Sequence, residues 1–192
     1  MNNYFWESLK IENKTGESRV ISKKSLLIIR IIFLLILLEA NVWALIKHFD
    51  GYFKMYRFLT FWGLAMSPII YICLIICTIY SMKSTPAPSF LWKFAHSQFE
   101  CWMTIEFTIA VLFWLIVYPT ESHDGIGYYI LNVQAHGIIF IFGFIDAAFN
   151  RIVFYDRHFI ITSLWNVVYM AGVNLPIALL YKPPYAALTW KN

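Results

Sequence analysis

The side chain best suited to chemistry in this sequence is His136, because it lies in the middle of a long apolar stretch. A neutral imidazole is an able general base near neutral pH. Asn132 precedes it by one helical turn and brings a carboxamide to the same region. The alternative role is structural, since polar groups in a membrane often hold neighbouring helices together through hydrogen bonds. The residues alone leave both roles open for His136.

Three carboxylic acids, Glu39, Glu106 and Asp146, also lie within apolar stretches. A charged side chain at the centre of a bilayer costs at least ~2.5–3.5 kcal/mol, so each acid needs a partner or a function. Glu39 is expected to pair with Lys47 or to contact water. Arg30 lies near the start of its stretch, where its long side chain is expected to reach the membrane surface.

The last apolar stretch carries two carboxamides, Asn166 and Asn174, which an ideal helix places two turns apart on one face. Together with Asn132, they are expected to be polar groups inside the membrane that bond to other helices. Titratable groups in a membrane can also form a proton relay, and the candidates are Glu39, Glu106, His136 and Asp146. The sequence contains no repeated half and no pair of interrupted helices, which disfavours a transporter.

No metal site or cofactor is predicted from these residues. Cys73 and Cys77 share a helical face, but no further ligand lies near them. They are therefore interpreted as small buried hydrophobic side chains. Haem would require a second axial ligand beside His136, and the remaining histidines fall in predicted connections near the surface: His48, His96, His123 and His158.

The composition of the 192-residue chain indicates a membrane protein. Hydrophobic residues make up 60% of it and charged residues 14%, whereas soluble domains have roughly 45–50% and about 25%. The mean hydropathy is +0.62. The net charge of +4 is not concentrated in a basic stripe, which excludes nucleic acid as a partner class.

Five stretches are long enough to cross a bilayer as helices, which takes about 20 residues each. They predict an all-α, polytopic membrane helix bundle with about five transmembrane helices. A polar tail over residues 1–24 precedes a single transmembrane domain over residues 25–192, with spans at 25–46, 58–82, 99–117, 128–149 and 159–181. Lysine and arginine number nine on the N-terminal side of these spans and five on the other, which favours an N-terminus on the positive, cytoplasmic or matrix-like side.

Three short motifs occur in order along the chain: residues 56–63 (YRFLTFWG), residues 132–137 (NVQAHG) with Asp146 ten positions after the histidine, and residues 182–191 (KPPYAALTWK). From about Tyr56 to the C-terminus, this order resembles the androgen-induced protein family of multi-pass membrane proteins and the related rolling-stone proteins. In the androgen-induced branch, the family's activity is hydrolysis of fatty acid esters of hydroxy fatty acids.

The resemblance implies that Thr60 is a nucleophile, that His136 is its partner, and that Asp146 is the family's acidic residue. A threonine hydroxyl becomes an effective nucleophile when an adjacent base takes its proton. Ten helical residues place Asp146 ~15 Å along the axis from His136. Asp146 therefore cannot orient the imidazole directly and must have another role.

The chain departs from the androgen-induced pattern in two places. Val133 stands where that branch has a second histidine, three residues before the main one. The further helix that usually follows the tyrosine–proline–tryptophan corner is not part of this sequence, which stops at Asn192. The rolling-stone branch fits the histidine–glycine and aspartate pattern better and has no assured catalysis.

These observations predict an accessory or structural subunit of a larger membrane complex, and as the alternative an intramembrane threonine/histidine hydrolase of such esters. Short loops leave little aqueous domain, which favours the subunit. Its expected partners are membrane lipids and other membrane-protein subunits. The mitochondrial inner membrane, with its respiratory complexes, is the location expected from that class. A hydrolase requires Thr60 and His136 to face one lipid-accessible cavity, at or close to hydrogen-bond reach. A subunit requires that cavity to be filled by side chains or a bound lipid, and residues 1–24 to make extensive contacts.

Overall fold

The computed structural model describes residues 14–49, 52–120 and 125–180. Within them the chain is an all-α bundle, as predicted, with five helices that are long and apolar enough to cross a membrane. We call these helices span 1 to span 5, and they cover Lys23–Lys47, Leu59–Met82, Ser89–Val117, Ile126–Phe149 and Asp156–Ile177. The first half of the predicted polar tail and the C-terminal motif at 182–191 lie outside the described residues.

The spans are built from α-helices interrupted by turns of other helical types. The α-helices are α1 (Lys23–Lys47), α2 (Tyr52–Met55), α3 (Leu59–Met82), α4 (Ser89–Leu112), α5 (Ile126–Val133), α6 (Ile139–Phe149), α7 (Phe159–Tyr169) and α8 (Leu175–Leu180). The π-helical turns lie at Phe113–Val117, Gln134–Ile138 and Met170–Asn174. Such turns change the rotation of the helix and are frequent at functional sites.

Span 3 begins at Ser89, ten residues before the predicted boundary at residue 99. The segment 89–98 contains several polar side chains, which made it look like a connection. His96, Ser97 and Gln98 are instead buried inside the bundle, so the polar face of this segment packs against protein. The helix starts directly after Pro88, whose backbone is extended.

Span 2 is the central helix of the bundle. Half of its most apolar stretch is buried, compared with 28% in spans 1 and 4 and 11% in span 5. The core around it contains Leu37 of span 1, Leu64 and Leu74 of span 2, Trp102 of span 3 and Ile139 of span 4. Spans 1 to 4 therefore form the packed body, and span 5 has the least contact with the rest of the described chain.

The described part of the N-terminal tail, residues 14–22, folds back onto the bundle. Gly16 lies so close to the main chain of Cys77 that a β-carbon there would collide with the Cys77 carbonyl. Ser18 forms an antiparallel bridge with Asn150 at the end of span 4. Ser22 then caps span 1, because its hydroxyl accepts a hydrogen bond from the Ser25 amide at 3.0 Å.

Candidate functional site

Thr60 and His136 lie together between span 2 and span 4. The distance from Thr60 Oγ1 to His136 Nδ1 is 3.5 Å. Thr60 is buried in the first turn of α3, and His136 is partly buried in the π-helical turn Gln134–Ile138. This separation is slightly longer than the ~2.6–3.2 Å of a formed hydrogen bond, and such contacts between a hydroxyl and its general base often shorten when substrate binds.

The imidazole of His136 is held in place by span 3. Its ring stacks on Phe113 with ring centroids 3.5 Å apart and planes inclined by 4°. The indole Nε1 of Trp114 donates a hydrogen bond to the His136 carbonyl at 3.2 Å. Phe113 and Trp114 open a second π-helical turn, Phe113–Val117, so two π-helical turns meet at this histidine. The stack on Phe113 fixes the plane of the imidazole ring, and Nδ1 of this ring faces Thr60.

Asp146 lies at the far end of span 4 from His136, in an ion pair with Arg30. Two guanidinium nitrogens, Nε and Nη2, donate to the two carboxylate oxygens, each at 2.7 Å. Both side chains are 0% exposed. The prediction that Arg30 reaches the membrane surface is therefore wrong, because a bidentate carboxylate partner inside the bundle satisfies it better than solvent would.

A hydrogen-bond network surrounds this ion pair and joins several parts of the chain. Asn150 Nδ2 donates to Asp146 Oδ1 at 2.6 Å. Arg30 Nη1 donates to the carbonyls of Thr15 and Leu74, both at 3.1 Å, and to Thr78 Oγ1 at 2.8 Å. Asp146 thus holds the N-terminal tail, span 1, span 2 and span 4 together, and it does not contact the Thr60–His136 pair.

Glu106 lies about one helical turn below Thr60, with its carboxylate packed against Gly63 of span 2. It borders a small cavity in which three buried polar atoms have no hydrogen-bond partner: Glu106 Oε1, Tyr71 Oη and Trp102 Nε1. The cavity has room for about one water molecule. Each unmade hydrogen bond costs about 1–3 kcal/mol, so a small polar guest that bonded to these atoms would stabilise this mostly apolar cavity.

The remaining predicted polar residues have other partners than expected. Glu39 is exposed and accepts a hydrogen bond at 2.7 Å from Gln134, which belongs to the π-helical turn of His136. Asn132 and Asn166 donate to carbonyls of their own helices. Asn166 is exposed but Asn174 is buried, so they do not share a face. The π-helical turn Met170–Asn174 between them alters the rotation that an ideal helix would give.

Sequence reasoning missed a buried cluster of His96, Glu100 and His158, at the start of span 3 and span 5. The prediction that these two histidines lie in surface connections is wrong, since they are 2% and 3% exposed. The spacing of four residues between His96 and Glu100 was a usable signal, because it puts both on one helical face. Burial and the neighbouring Glu100 carboxylate raise the pKa of Tyr155, which adjoins the cluster.

No protein-family model, curated protein or solved structure matches this chain. The clearest chemical arrangement among the described residues is the Thr60–His136 pair, whose members lie in two of the three sequence motifs.

Proposed function

We propose that the chain is an intramembrane ester hydrolase in which Thr60 is the nucleophile and His136 its general base. The observation that carries the proposal is the 3.5 Å separation of Thr60 Oγ1 and His136 Nδ1. A hydroxyl next to a base is the basic requirement of covalent acyl transfer. The resemblance to the androgen-induced proteins names the same pair, and it gives the substrate class as fatty acid esters of hydroxy fatty acids.

The reaction proceeds in two halves. Thr60 Oγ1 attacks the ester carbonyl carbon while His136 Nδ1 takes the hydroxyl proton. The bond to the leaving hydroxy acid breaks, His136 returns the proton to the leaving oxygen, and the acyl group remains on Thr60. A water molecule, deprotonated by His136, then attacks this acyl ester, releases the fatty acid and restores the threonine.

The surroundings of the pair support both halves of this reaction. The stack on Phe113 keeps the imidazole from rotating away from the hydroxyl, and such positioning is a large part of catalysis. The cavity beside Glu106 lies deeper in the bundle, beginning at Ser67, about two turns beyond Thr60 on span 2, and has room for about one water molecule. It is therefore a suitable reservoir for the water of the second half-reaction.

The test measures fatty acid release from such an ester by the full-length chain in lipid nanodiscs. Thr60→Ala is expected to lower the rate by ~10³-fold or more, as removal of a nucleophile does in other acyl-transfer enzymes. Thr60→Ser, which keeps a hydroxyl, is expected to retain measurable activity. Thr108→Ala is the matched control, since Thr108 is exposed on span 3 and its hydroxyl donates to Thr104 of the same helix.

The possible results distinguish a catalytic role of Thr60 from a structural one. Equal rates for Thr60→Ala and the unaltered chain would exclude Thr60 as the nucleophile. If the folded chain and all its folded variants cleave no ester, the Thr60–His136 contact is structural and the hydrolase proposal fails. Mass spectrometry of an acyl adduct on Thr60, absent in Thr60→Ala, would support the covalent step directly.

A second candidate is an accessory subunit of a membrane assembly, of the kind found in the mitochondrial inner membrane. The observation that favours it is the low burial of span 5, at 11% of its most apolar stretch. This helix also carries the exposed Asn166, and polar side chains of this type commonly face another helix in a membrane. Cross-linking in native membranes, followed by mass spectrometry, should then join span 5 to another subunit; cross-links confined to the chain itself would count against this role.

A further inference from the structure

The strongest unassigned feature is the cluster of His96, Glu100 and His158, which lies at the other end of span 3 from His136. One ligand atom from each residue falls within 4.8 Å of the others. Their exposures are 2%, 4% and 3%. Two imidazoles and a carboxylate are the ligand set of catalytic zinc sites with three protein ligands.

The carboxylate of Glu100 is the centre of the cluster and is held from several sides. One of its oxygens is hydrogen-bonded to His158 Nδ1. The other accepts a hydrogen bond from the Tyr155 amide at 2.7 Å and lies 3.5 Å from His96 Nε2. A ligand carboxylate oriented by a main-chain amide is typical of metal sites, where such outer contacts set the geometry of the ligands.

The two imidazoles are also fixed in orientation. The ring of His96 stacks on Tyr155, with centroids 5.7 Å apart and planes inclined by 19°. It stands nearly perpendicular to the ring of His158, at 5.6 Å and 89°. His96 Nε2 donates a hydrogen bond to the Val153 carbonyl at 3.1 Å. An ion at the centre would take the place of the protons on the two nitrogens that face Glu100.

A cavity of about 140 Å³, part of it open to the surroundings, begins at His96. Its lining also contains Lys14 and Thr15 of the N-terminal tail, and Arg151 and Tyr155 of the connection before span 5. Of the three ligands, His96 lines this cavity, so an ion held by them would reach the cavity on the side of His96. Catalytic zinc sites keep such an open position, whereas purely structural sites are closed by a fourth protein ligand.

We propose that His96, Glu100 and His158 bind a divalent zinc-class metal ion whose open coordination position faces this cavity. The site rests on residues other than Thr60 and His136, so it stands independently of the proposed hydrolysis. One carboxylate leaves a bound divalent ion with a net positive charge, and Lys14 on the cavity wall adds to it, whereas Arg151 is paired with Glu17. The fourth ligand is therefore water or an anionic group.

The test titrates Zn²⁺ alone into the full-length chain in detergent, after a chelator has removed metal. One ion per chain is expected to bind, and to raise the temperature of unfolding, because an ion that binds only the folded state stabilises it. Glu100→Gln and His158→Ala are expected to weaken binding by at least about 100-fold. His48→Ala is the matched control, because His48 lies at the opposite end of the bundle, beyond the end of span 1, and binding should be unchanged.

The proposal is overturned if Zn²⁺ binds equally well to the Glu100→Gln and His158→Ala variants, or if the unaltered chain binds none. Thermal unfolding of each metal-free variant shows whether it folds. If a variant does not fold, X-ray absorption of the bound ion in the unaltered chain decides the matter. Two imidazole nitrogens with oxygen ligands support the site, and a shell of water oxygens alone overturns it.

Discussion

Replacing Asp146 by leucine is expected to lower the free energy of unfolding by ~3–5 kcal/mol, because the change leaves the guanidinium of Arg30 buried without its carboxylate. The structure supports the upper part of this range. Arg30 and Asp146 are both 0% exposed and joined by two hydrogen bonds of 2.7 Å. Asn150 Nδ2, which donates to the same carboxylate, would lose its acceptor as well.

Replacing Arg30 by methionine is expected to cost a similar ~3–5 kcal/mol, since it leaves the Asp146 carboxylate as the uncompensated charge. The double variant Arg30→Met/Asp146→Leu removes both charges and fills their space with apolar side chains. Buried ion pairs replaced in this way often show little loss of stability. A residual cost of about 1–3 kcal/mol is expected from groups such as Asn150 and Thr78 that lose a partner.

The assay is thermal unfolding in one detergent, followed by the fluorescence of the eight tryptophans. For a chain of this size, 1 kcal/mol corresponds to ~2–4 °C, so each single variant should unfold ~6–20 °C earlier. Arg151→Met is the matched control. Arg151 pairs with Glu17 at 2.9 Å, but its side chain is 44% exposed, and exposed pairs contribute about 0–1 kcal/mol.

Two results would refute this reasoning. One is a single Asp146→Leu variant that unfolds within ~3 °C of the unaltered chain. The other is a double variant as unstable as the two single variants added together, which would mean that the charges do not compensate each other. The same double variant also tests Asp146 in catalysis. If it folds and hydrolyses ester, Asp146 is structural; if it folds but is inactive, the Arg30–Asp146 pair supports the activity from a distance, since Asp146 does not contact Thr60 or His136.

Two further predictions concern close packing. Gly16→Ala is expected to lower the free energy of unfolding by about 1–3 kcal/mol, because the added β-carbon would meet the rigid main chain of Cys77. Gly143→Ala should lower it less, since there the β-carbon meets the flexible Met103 side chain. Thermal unfolding compares the two variants, and equal losses of stability would contradict this reasoning. Phe113→Leu is expected to slow ester hydrolysis by about 10–100-fold, because the stack on His136 is lost. Phe107→Leu, at an exposed position of the same span, should leave the rate unchanged. Equal rates for these two variants would exclude Phe113 as a residue that positions His136.

The number and type of the spans could be read from the sequence because hydropathy is a local property. Each span needs about 20 apolar residues, and this requirement does not depend on what lies beside it. The ends of the spans are harder to predict from the sequence where polar residues are buried against other parts of the chain. The segment 89–98 looked like a loop because His96, Ser97 and Gln98 are polar, yet they face the inside of the bundle.

The partners of polar side chains could not be read in the same way. Arg30 and Asp146 are 116 residues apart, and nothing in their sequence neighbourhoods selects one for the other. Their meeting depends on the packing of span 1 against span 4. The π-helical turns add a second obstacle, because each shifts the faces of the residues that follow. Ideal helical spacing predicts Asn166 and Asn174 on one face, but across the π-helical turn Met170–Asn174 the first is exposed and the second is buried.

The buried polar groups differ in how well they are satisfied, and this difference bears on function. The oxygens of Asp146 and the guanidinium of Arg30 have partners in a dense network, as expected of groups that hold a fold together. Glu106, Tyr71 and Trp102 each leave a buried polar atom without a partner. Unsatisfied groups are rare in folded proteins and call for an explanation. Because these three residues line one cavity that lies deeper in the bundle than Thr60 and His136, we expect a small polar guest such as a water molecule to occupy it.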